Sequence, residues 1–285
     1  MPKLLISIRD LSDLNLPSDG YVLGYEKYTS FASHCFTYEE IKTVKNKPIY
    51  ILLNALIHEK DIEAVKKEVD RLIKLDVNFI VQDVGLLAYL LTLVNKDKVL
   101  FFPYTLICNK EELEAYYLSF GVASYISNEI TLEEMKETLK EGHGVVSLFG
   151  HTPIYQSYRK VLSLYEIEKK IRFESKDLYL KENTRGEHYP IIENEYGSVI
   201  FRSAPSSLLE DYEYIKEAKY LFVDSIFLSH EMFTKVVELS NKVISGEIDR
   251  EYILKEYKEL GYDSPEGFKH HKTVLRKWER NILNF

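Results

Sequence analysis

The chain has 285 residues, of which 45% are hydrophobic and 29% charged, and its apolar runs fall short of the roughly 20 residues of a membrane span. A compact cytoplasmic protein with no membrane partner is therefore expected. The formal net charge of −8 excludes broad electrostatic attraction to nucleic acid, so no DNA partner is expected and any RNA contact needs a local basic patch. Two cysteines, Cys35 and Cys108, are too few for a disulfide framework or an iron–sulfur cluster, and no cofactor is predicted.

Eight short apolar runs predict strands that are buried on both faces, because the runs are continuous rather than alternating. They cover residues 3–8, 20–25, 48–54, 79–83, 99–104, 124–127, 145–150 and 220–226. Helical patterns lie between them, such as residues 109–121 and 131–142, which each begin with a capping Asn or Thr and end with Gly. Eight strands alternating with helices over this length predict an α/β fold of the closed (β/α)8 TIM-like barrel type.

The alternation of strand and helix is interrupted between the seventh and eighth strands. The segments YPIIE (189–193) and SVIFRS (198–203) flank NEYG, which predicts a β-hairpin. We therefore expect an insertion over residues 151–204, placed over one mouth of a barrel that spans residues 1–246. Residues 247–285 are predicted to form a C-terminal helical appendage, with helices over 249–260 and 265–281.

Polar side chains follow five of the predicted strands, at the ends where TIM-barrel chemistry takes place. These residues are Asn54, Gln82, Asp83, Tyr104, Thr105, Asn128, Glu129, Gly150 and His151. We expect several of them to meet in one pocket, with Asn54, Gln82 and Asn128 binding substrate.

Three of these residues are candidate catalytic groups. Asp83 and Glu129 can form a general acid–base pair if they lie close together, because mutual repulsion raises the pKa of one carboxyl. Alternatively each is an independent cap, since Asp83 precedes a helical run that starts at Val84. His151 is either a proton shuttle or a donor to a loop carbonyl. The histidines lack the spacing of a zinc site, so no metal is predicted.

The insertion and the C-terminus supply further candidate binding residues. Arg185 is predicted to bind a carboxylate or phosphate of the substrate, with Tyr189 close to it, and solvation of a loop is the alternative for Arg185. The last predicted helix combines cations with an aromatic ring, as RNA-binding surfaces do. Its candidate RNA contacts are Lys269, Lys272, Arg276, Lys277 and Trp278. A second basic cluster lies within residues 159–172, and a solvated face is the alternative for both.

Three segments, taken in order and at their spacing, resemble the collagenase-like peptidase U32 family. Residues 49–87 resemble the family's strand–Asn–helix–strand segment that ends in aspartate and glycine, residues 120–135 its Gly-Val segment, and residues 185–203 its hairpin. The resemblance spans residues 48–246 and implies a barrel. The short, cysteine-poor branch of this family is linked to hydroxylation of the wobble uridine of tRNA, usually beside a longer family member. The resemblance thus implies tRNA and a longer relative as partners.

The chain departs from the family pattern at several positions. Asn128 stands where the family usually has an arginine, the fifth strand has no histidine, and Gly150-His151 replaces a His-Gly pair. The cysteine quartet of larger relatives is absent. Three functions are therefore considered: a tRNA hydroxylation component that acts alone or as one subunit, a U32-type peptidase, and a non-catalytic subunit that positions a catalytic relative.

Overall fold

The computed structural model describes residues 1–45, 47–175, 177–182 and 186–270. In chain order the strands are β1 (Lys3–Ser7), β2 (Gly20–Tyr25), β3 (Cys35–Phe36), β4 (Ile49–Leu53), β5 (Asn78–Val81), β6 (Val99–Phe101), β7 (Ala123–Tyr125), β8 (Gly144–Gly150), β9 (Pro153–Ser157), β10 (Leu178–Lys181), β11 (His188–Asn194), β12 (Gly197–Phe201), β13 (Ser206–Ser207) and β14 (Tyr220–Val223). The helices are α1 (Tyr38–Thr43), α2 (Ile62–Leu72), α3 (Val84–Leu91), α4 (Lys110–Phe120), α5 (Leu132–Thr138), α6 (Val161–Lys169), α7 (His230–Ser245) and α8 (Arg250–Glu259).

Eight parallel strands form a closed barrel in the order β1, β2, β4, β5, β6, β7, β8 and β14. The barrel closes at β1, where Leu5 is in register with Gly20 on one side and with Phe222 on the other. Each strand comes from one of the eight predicted apolar runs, so the predicted (β/α)8 TIM-like barrel is confirmed. Side chains such as Leu52, Ile80 and Phe222 fill its interior.

The outer helices follow local sequence signals. α2 buries Val65, Val69 and Leu72, which lie on one helical face. Asn109 caps α4, and Gly121 ends that helix with a φ of 70°. The first crossover is shorter than the others, because β1 and β2 are joined through a single 3₁₀ turn at Leu11–Asn15.

The insertion is larger than the predicted hairpin. It contains a four-stranded antiparallel sheet in the order β10, β11, β12, β9, together with α6. The hairpin of β11 and β12 is confirmed, whereas β9, β10 and α6 were not predicted. None of the residues of α6 is buried, so this helix lacks the apolar stripe that marks a packed helix in a sequence.

The insertion packs over the C-terminal mouth of the barrel, as predicted. The mouth cluster, which consists of Phe31, Val199, Phe201 and Ile226, joins the insertion sheet to the barrel loops. Asn194 of the insertion also donates to the carbonyl oxygens of Thr29 and Ser30. The sheet is therefore held by both apolar burial and hydrogen bonds.

One of the two predicted C-terminal helices is confirmed. α8 matches the helix predicted over residues 249–260, but residues 265–270 are not helical, so the helix predicted from Pro265 is wrong at its start. Lys269 lies 2.6 Å from a carboxylate oxygen of Glu210 and 2.7 Å from one of Asp211, all three being buried or nearly so. Its ammonium group anchors the C-terminal segment to the barrel and does not belong to a solvated RNA-binding helix.

The other predicted RNA contacts, Lys272, Arg276, Lys277 and Trp278, lie outside the described residues. Among residues that the structure does describe, no helix is both long and apolar enough to cross a membrane. Cys35 is an exposed free thiol and Cys108 a half-buried one.

Phe201→Ala should lower the free energy of unfolding by about 3–5 kcal/mol, the usual loss for a buried aromatic residue. Phe201 is fully buried, with its ring 5.3 Å from that of Phe31 and 5.1 Å from that of Phe227. Urea unfolding measures the loss. Ile167→Ala is the matched control, because this residue of the insertion is 74% exposed and should change stability by less than about 0.5 kcal/mol. Equal losses would show that the mouth cluster does not hold the insertion.

Candidate functional site

The ends of β4 and β5 are tied to the insertion by amide side chains. Asn54 is fully buried, accepts from the backbone N–H of Ser30 at 2.8 Å and donates to the carbonyl oxygen of Phe31 at 3.1 Å. Gln156 of β9 donates to the backbone oxygen of Asn54 at 2.9 Å and accepts from Gln82 at 2.9 Å. Asn54 and Gln82, both predicted to bind substrate, use these hydrogen bonds to hold the mouth loops in place.

The proposed acid–base pair of Asp83 and Glu129 is not assembled by any contact in the structure. Asp83 accepts from the backbone N–H of Leu86 at 2.7 Å and so caps α3, as the alternative prediction states. Glu129 is exposed, and no hydrogen bond or ion pair joins the two carboxylates in the described part of the chain. Their catalytic roles remain predictions.

A cleft of about 310 Å³ contains three of the predicted residues, Asn128, Glu129 and Tyr189, together with Arg202. Asn128 donates to the phenol oxygen of Tyr125 at 2.9 Å. The hydrogen bond to Glu187 raises the pKa of Tyr189 to about 12, so the phenol stays protonated at neutral pH. Arg185 lies outside the described residues, and Arg202 is a cation of this cleft that was not predicted.

His151 is buried beside the insertion. One of its ring nitrogens, Nδ1, is 2.9 Å from the carbonyl oxygen of Arg202, and its ring contacts Phe227 edge-on at 5.4 Å. Burial lowers the pKa of His151, although the bond to the Arg202 carbonyl opposes this effect. The ring is neutral at pH 7 and donates from Nδ1, which matches the alternative of a donor to a loop carbonyl.

A carboxyl with a raised pKa at the mouth is that of Asp224, which was not predicted. It follows β14, and its Oδ1 accepts from the hydroxyl of Ser7 at 2.7 Å and from the backbone N–H of Ile226 at 3.1 Å. Burial raises the pKa of Asp224 despite these hydrogen bonds. The eighth strand was predicted to continue to residue 226, so Asp224 was placed inside it. An apolar strand that stops at a carboxylate, as at Asp83, is the signal that would have found it.

Three serine hydroxyls connect Asp224 to a cavity. The Oγ of Ser7 is 3.0 Å from that of Ser225, which in turn is 2.7 Å from that of Ser33. Ser33 and Ser225 line a cavity of about 330 Å³ between the barrel mouth and the insertion sheet. Most of its other lining residues are apolar, among them Ala32, Ile191, Ile192, Ile226, Phe227 and Leu228. This volume is at the lower end of the range for small-molecule sites, about 300–1,000 Å³.

Two phenols lie close to Asp224. Burial raises the pKa of Tyr104 and of Tyr125, and the negative charge of Asp224 adds to the effect at both. Both phenols are therefore protonated donors at neutral pH. Tyr104 contacts Phe31 of the mouth cluster at 5.4 Å and Tyr125 at 5.5 Å.

The arrangement is suited to acid–base chemistry on a small ligand with an apolar body. A half-buried carboxyl with a raised pKa at the end of a barrel strand can serve as a general base or acid. Within the described ranges, no group of three or more His, Cys, Asp or Glu side chains is arranged to hold a metal ion. Asp224 is accordingly the central residue of the candidate site.

Asp224→Asn should raise the free energy of unfolding at neutral pH by about 1–3 kcal/mol, because it removes a desolvated charge and retains the oxygen that accepts from Ser7. A raised pKa means that the folded chain holds this proton more tightly than the unfolded chain does. Wild-type stability therefore falls as the pH rises from the ordinary carboxyl pKa of 3.8 through the folded value. The gap between variant and wild type should shrink as the pH approaches about 4. Urea unfolding across pH measures it.

Asp19→Asn is the control for this prediction. Asp19 is exposed and accepts from the backbone N–H of Leu4 at the opposite end of β1, so its substitution should not stabilise the chain. A difference in stability between Asp224→Asn and wild type that does not change with pH would contradict a desolvated Asp224 carboxylate. The same stabilisation by Asp19→Asn would also contradict it.

Gly150→Ala should destabilise the chain more than Gly246→Ala, by about 1–3 kcal/mol, the usual cost of overpacking. Both glycines have positive φ, 147° and 75°, so both substitutions strain the backbone. Only at Gly150 would a Cβ lie 2.9 Å from the Cβ of Asp224, whereas nothing is within 4 Å at Gly246. Chemical denaturation of both variants tests the difference, and equal losses would mean that Asp224 can move away freely.

Comparison with known protein families assigns the chain to a family. The model of the family described as Peptidase family U32 matches residues 21–260. No curated protein and no solved structure matches the chain significantly. The matched region contains β2 from its second residue, the six barrel strands that follow it, the whole insertion and α8. The chain therefore belongs to peptidase family U32.

Proposed function

We propose that this U32 protein takes part in hydroxylation of the wobble uridine of tRNA, alone or as one subunit beside a longer family member. The observation that carries the proposal is the half-buried carboxyl of Asp224, connected through serine hydroxyls to a cavity at the barrel mouth that has both polar and apolar walls. The resemblance of the chain to the short, cysteine-poor branch of the family supports the same function.

The cavity has the chemistry of a nucleobase pocket. Single-stranded bases are bound by stacking on aromatic or apolar side chains and by hydrogen bonds to their edges. Phe227 and Ile226 supply apolar walls, and Ser33 and Ser225 supply polar atoms. Hydroxylation at C5 of uracil replaces a hydrogen atom with a hydroxyl group. The reaction therefore needs a second substrate, a two-electron oxidant that donates the oxygen atom. Asp224 does not line the cavity itself, so the released proton would pass along the hydroxyls of Ser33, Ser225 and Ser7 to this carboxylate, which is its final acceptor.

The insertion presents a basic surface to a phosphate backbone. Five exposed cations lie on α6 and the residues that flank it: Arg159, Lys160, Lys169, Lys170 and Arg172. They outnumber the three carboxylates of the same segment, Glu166, Glu168 and Glu174, of which Glu168 pairs with Lys169 at 3.1 Å. Exposed aromatic rings, Tyr158 and Tyr165, accompany them. In a chain with a net charge of −8, such a local patch is where RNA would bind.

Deletion of the gene followed by mass spectrometry of tRNA nucleosides tests the proposal. The hydroxyuridine-derived nucleosides should fall, and a copy with Asp224→Asn should fail to restore them, because general acid–base catalysis contributes about 10²–10⁴-fold to a rate. A copy with Asp19→Asn, whose carboxyl is at the opposite end of β1, should restore them fully. Unchanged nucleosides in the deletion strain would refute the proposal.

The family description favours a second candidate, a peptidase. Incubation of the purified chain with gelatin and casein tests it, and activity that Asp224→Asn abolishes would move the reaction to peptide hydrolysis. A third candidate is a non-catalytic subunit. Restoration of the nucleosides by Asp224→Asn, with co-purification of a longer family member, would support that role.

A further inference from the structure

The serine hydroxyls at the mouth have only one consistent hydrogen-bond direction when Asp224 is ionised. The carboxylate can only accept, so the single hydroxyl hydrogen of Ser7 points to its Oδ1 at 2.7 Å. The two acceptor positions of Ser7 are filled by the backbone N–H of Ser225 at 2.8 Å and the hydroxyl of Ser225 at 3.0 Å. Ser7 is thus fully satisfied, and Ser225 must be the donor in the contact between their hydroxyls.

The same assignment of hydroxyl hydrogens can be continued from Ser225 to the cavity. The hydroxyl hydrogen of Ser225 is used on Ser7, so in its 2.7 Å contact with Ser33 the donor is Ser33. Ser33 lines the cavity and has no hydrogen left to offer there. Its oxygen can only accept from a ligand.

We propose that the cavity selects a ligand that donates an N–H or O–H to the Oγ of Ser33, and that Ser225, Ser7 and Asp224 impose this preference by fixing the direction of the hydroxyl chain. Ser33 is then the specificity-determining residue and Ser225 a positioning residue. The inference rests on the proposed function only for the identity of the ligand as uridine, whose N3–H is such a donor.

The groups around this chain do not compete with Asp224 for control of its direction. Tyr104 and Tyr125 are protonated and neutral, because burial raises the pKa of both phenols and the negative charge of Asp224 raises it further. Arg9, the cation of the cavity lining, is held by the buried Asp13 at 2.8 Å. Asp177, on the insertion side of the cavity, is exposed, so a ligand hydrogen bond to its carboxylate replaces one to water and adds little to the preference set by Ser33.

Two matched pairs of small probes test the inference on the purified full chain by NMR titration. The first pair is 1-methyluracil and 1,3-dimethyluracil, and the second is phenol and anisole. In each pair a methyl group replaces the one hydrogen that can be donated. The donor should bind at least about fivefold more tightly in each pair, the effect of one hydrogen bond.

Ser33→Ala and Ser225→Ala should both reduce this preference to less than about twofold. Ser225→Ala is decisive, because it leaves Ser33 in place and frees its hydroxyl to rotate. A preference that came only from a steric clash between the methyl group and Ser33 would survive it. Ser245→Ala, at the end of α7 and exposed, should keep the full preference.

The outcomes separate this inference from the proposed function. A preference for phenol over anisole that both serine variants lose, without binding of either uracil, would support the direction of the hydroxyl chain and refute the uridine pocket. Equal binding within both pairs, absence of binding by all four probes, or a preference that Ser225→Ala retains would overturn the inference.

Discussion

Closure of the barrel between β1 and β14 is the constraint on which the candidate site depends. The parallel pairing of these strands brings Ser7 within 2.7 Å of Asp224, although 217 positions separate them in the chain. The loop-closure entropy of so long a connection is offset by the apolar side chains of the barrel interior, and the polar contact at the mouth follows from that burial. The carboxyl is therefore positioned by the hydrophobic core rather than by local sequence.

Much of the fold could be predicted because its signals are local and repeated. Buried parallel strands have continuous apolar runs in the sequence, and capping residues such as Asn109 and Thr131 mark where helices begin. The insertion was predicted only as far as its hairpin. β9 and β10 expose side chains such as Tyr155 and Tyr179, so they show neither a buried run nor a clean alternation, and only pairing with β11 and β12 makes them strands.

The site was harder to predict than the fold, for a physical reason. Polar residues at strand ends were expected to face substrate, but a buried amide must first satisfy its own hydrogen bonds, and Asn54 does so with loop backbone. Residues of the same kind therefore act as loop supports. The sequence shows which residues stand at the mouth, but not how their donors and acceptors are shared. Ser33 and Ser225 belong to no recognisable sequence motif. Their role follows only from which hydroxyl donates and which accepts in the contacts that join the end of β1 to two mouth loops.

Three residues of the mouth loops have positive φ although they are not glycine, and contacts with the insertion stabilise this conformation. Tyr28, Tyr104 and Phe227 all have φ near +60°, a conformation that costs a residue with a side chain about 1–2 kcal/mol. Each of the three loops follows a barrel strand.

Each strained residue packs against another aromatic ring. Tyr28 contacts Tyr196 of the insertion at 5.7 Å, and Phe227 contacts Phe201 of the insertion at 5.1 Å. The third, Tyr104, contacts the Phe31 ring at 5.4 Å, and Phe31 contacts Phe201 in turn. Backbone strain of this kind persists only where the surroundings over-determine it. The insertion is therefore more than a cover over the barrel: it holds the loops in the strained shape that places Ser33, Ser225 and Asp224 in one chain of hydrogen bonds.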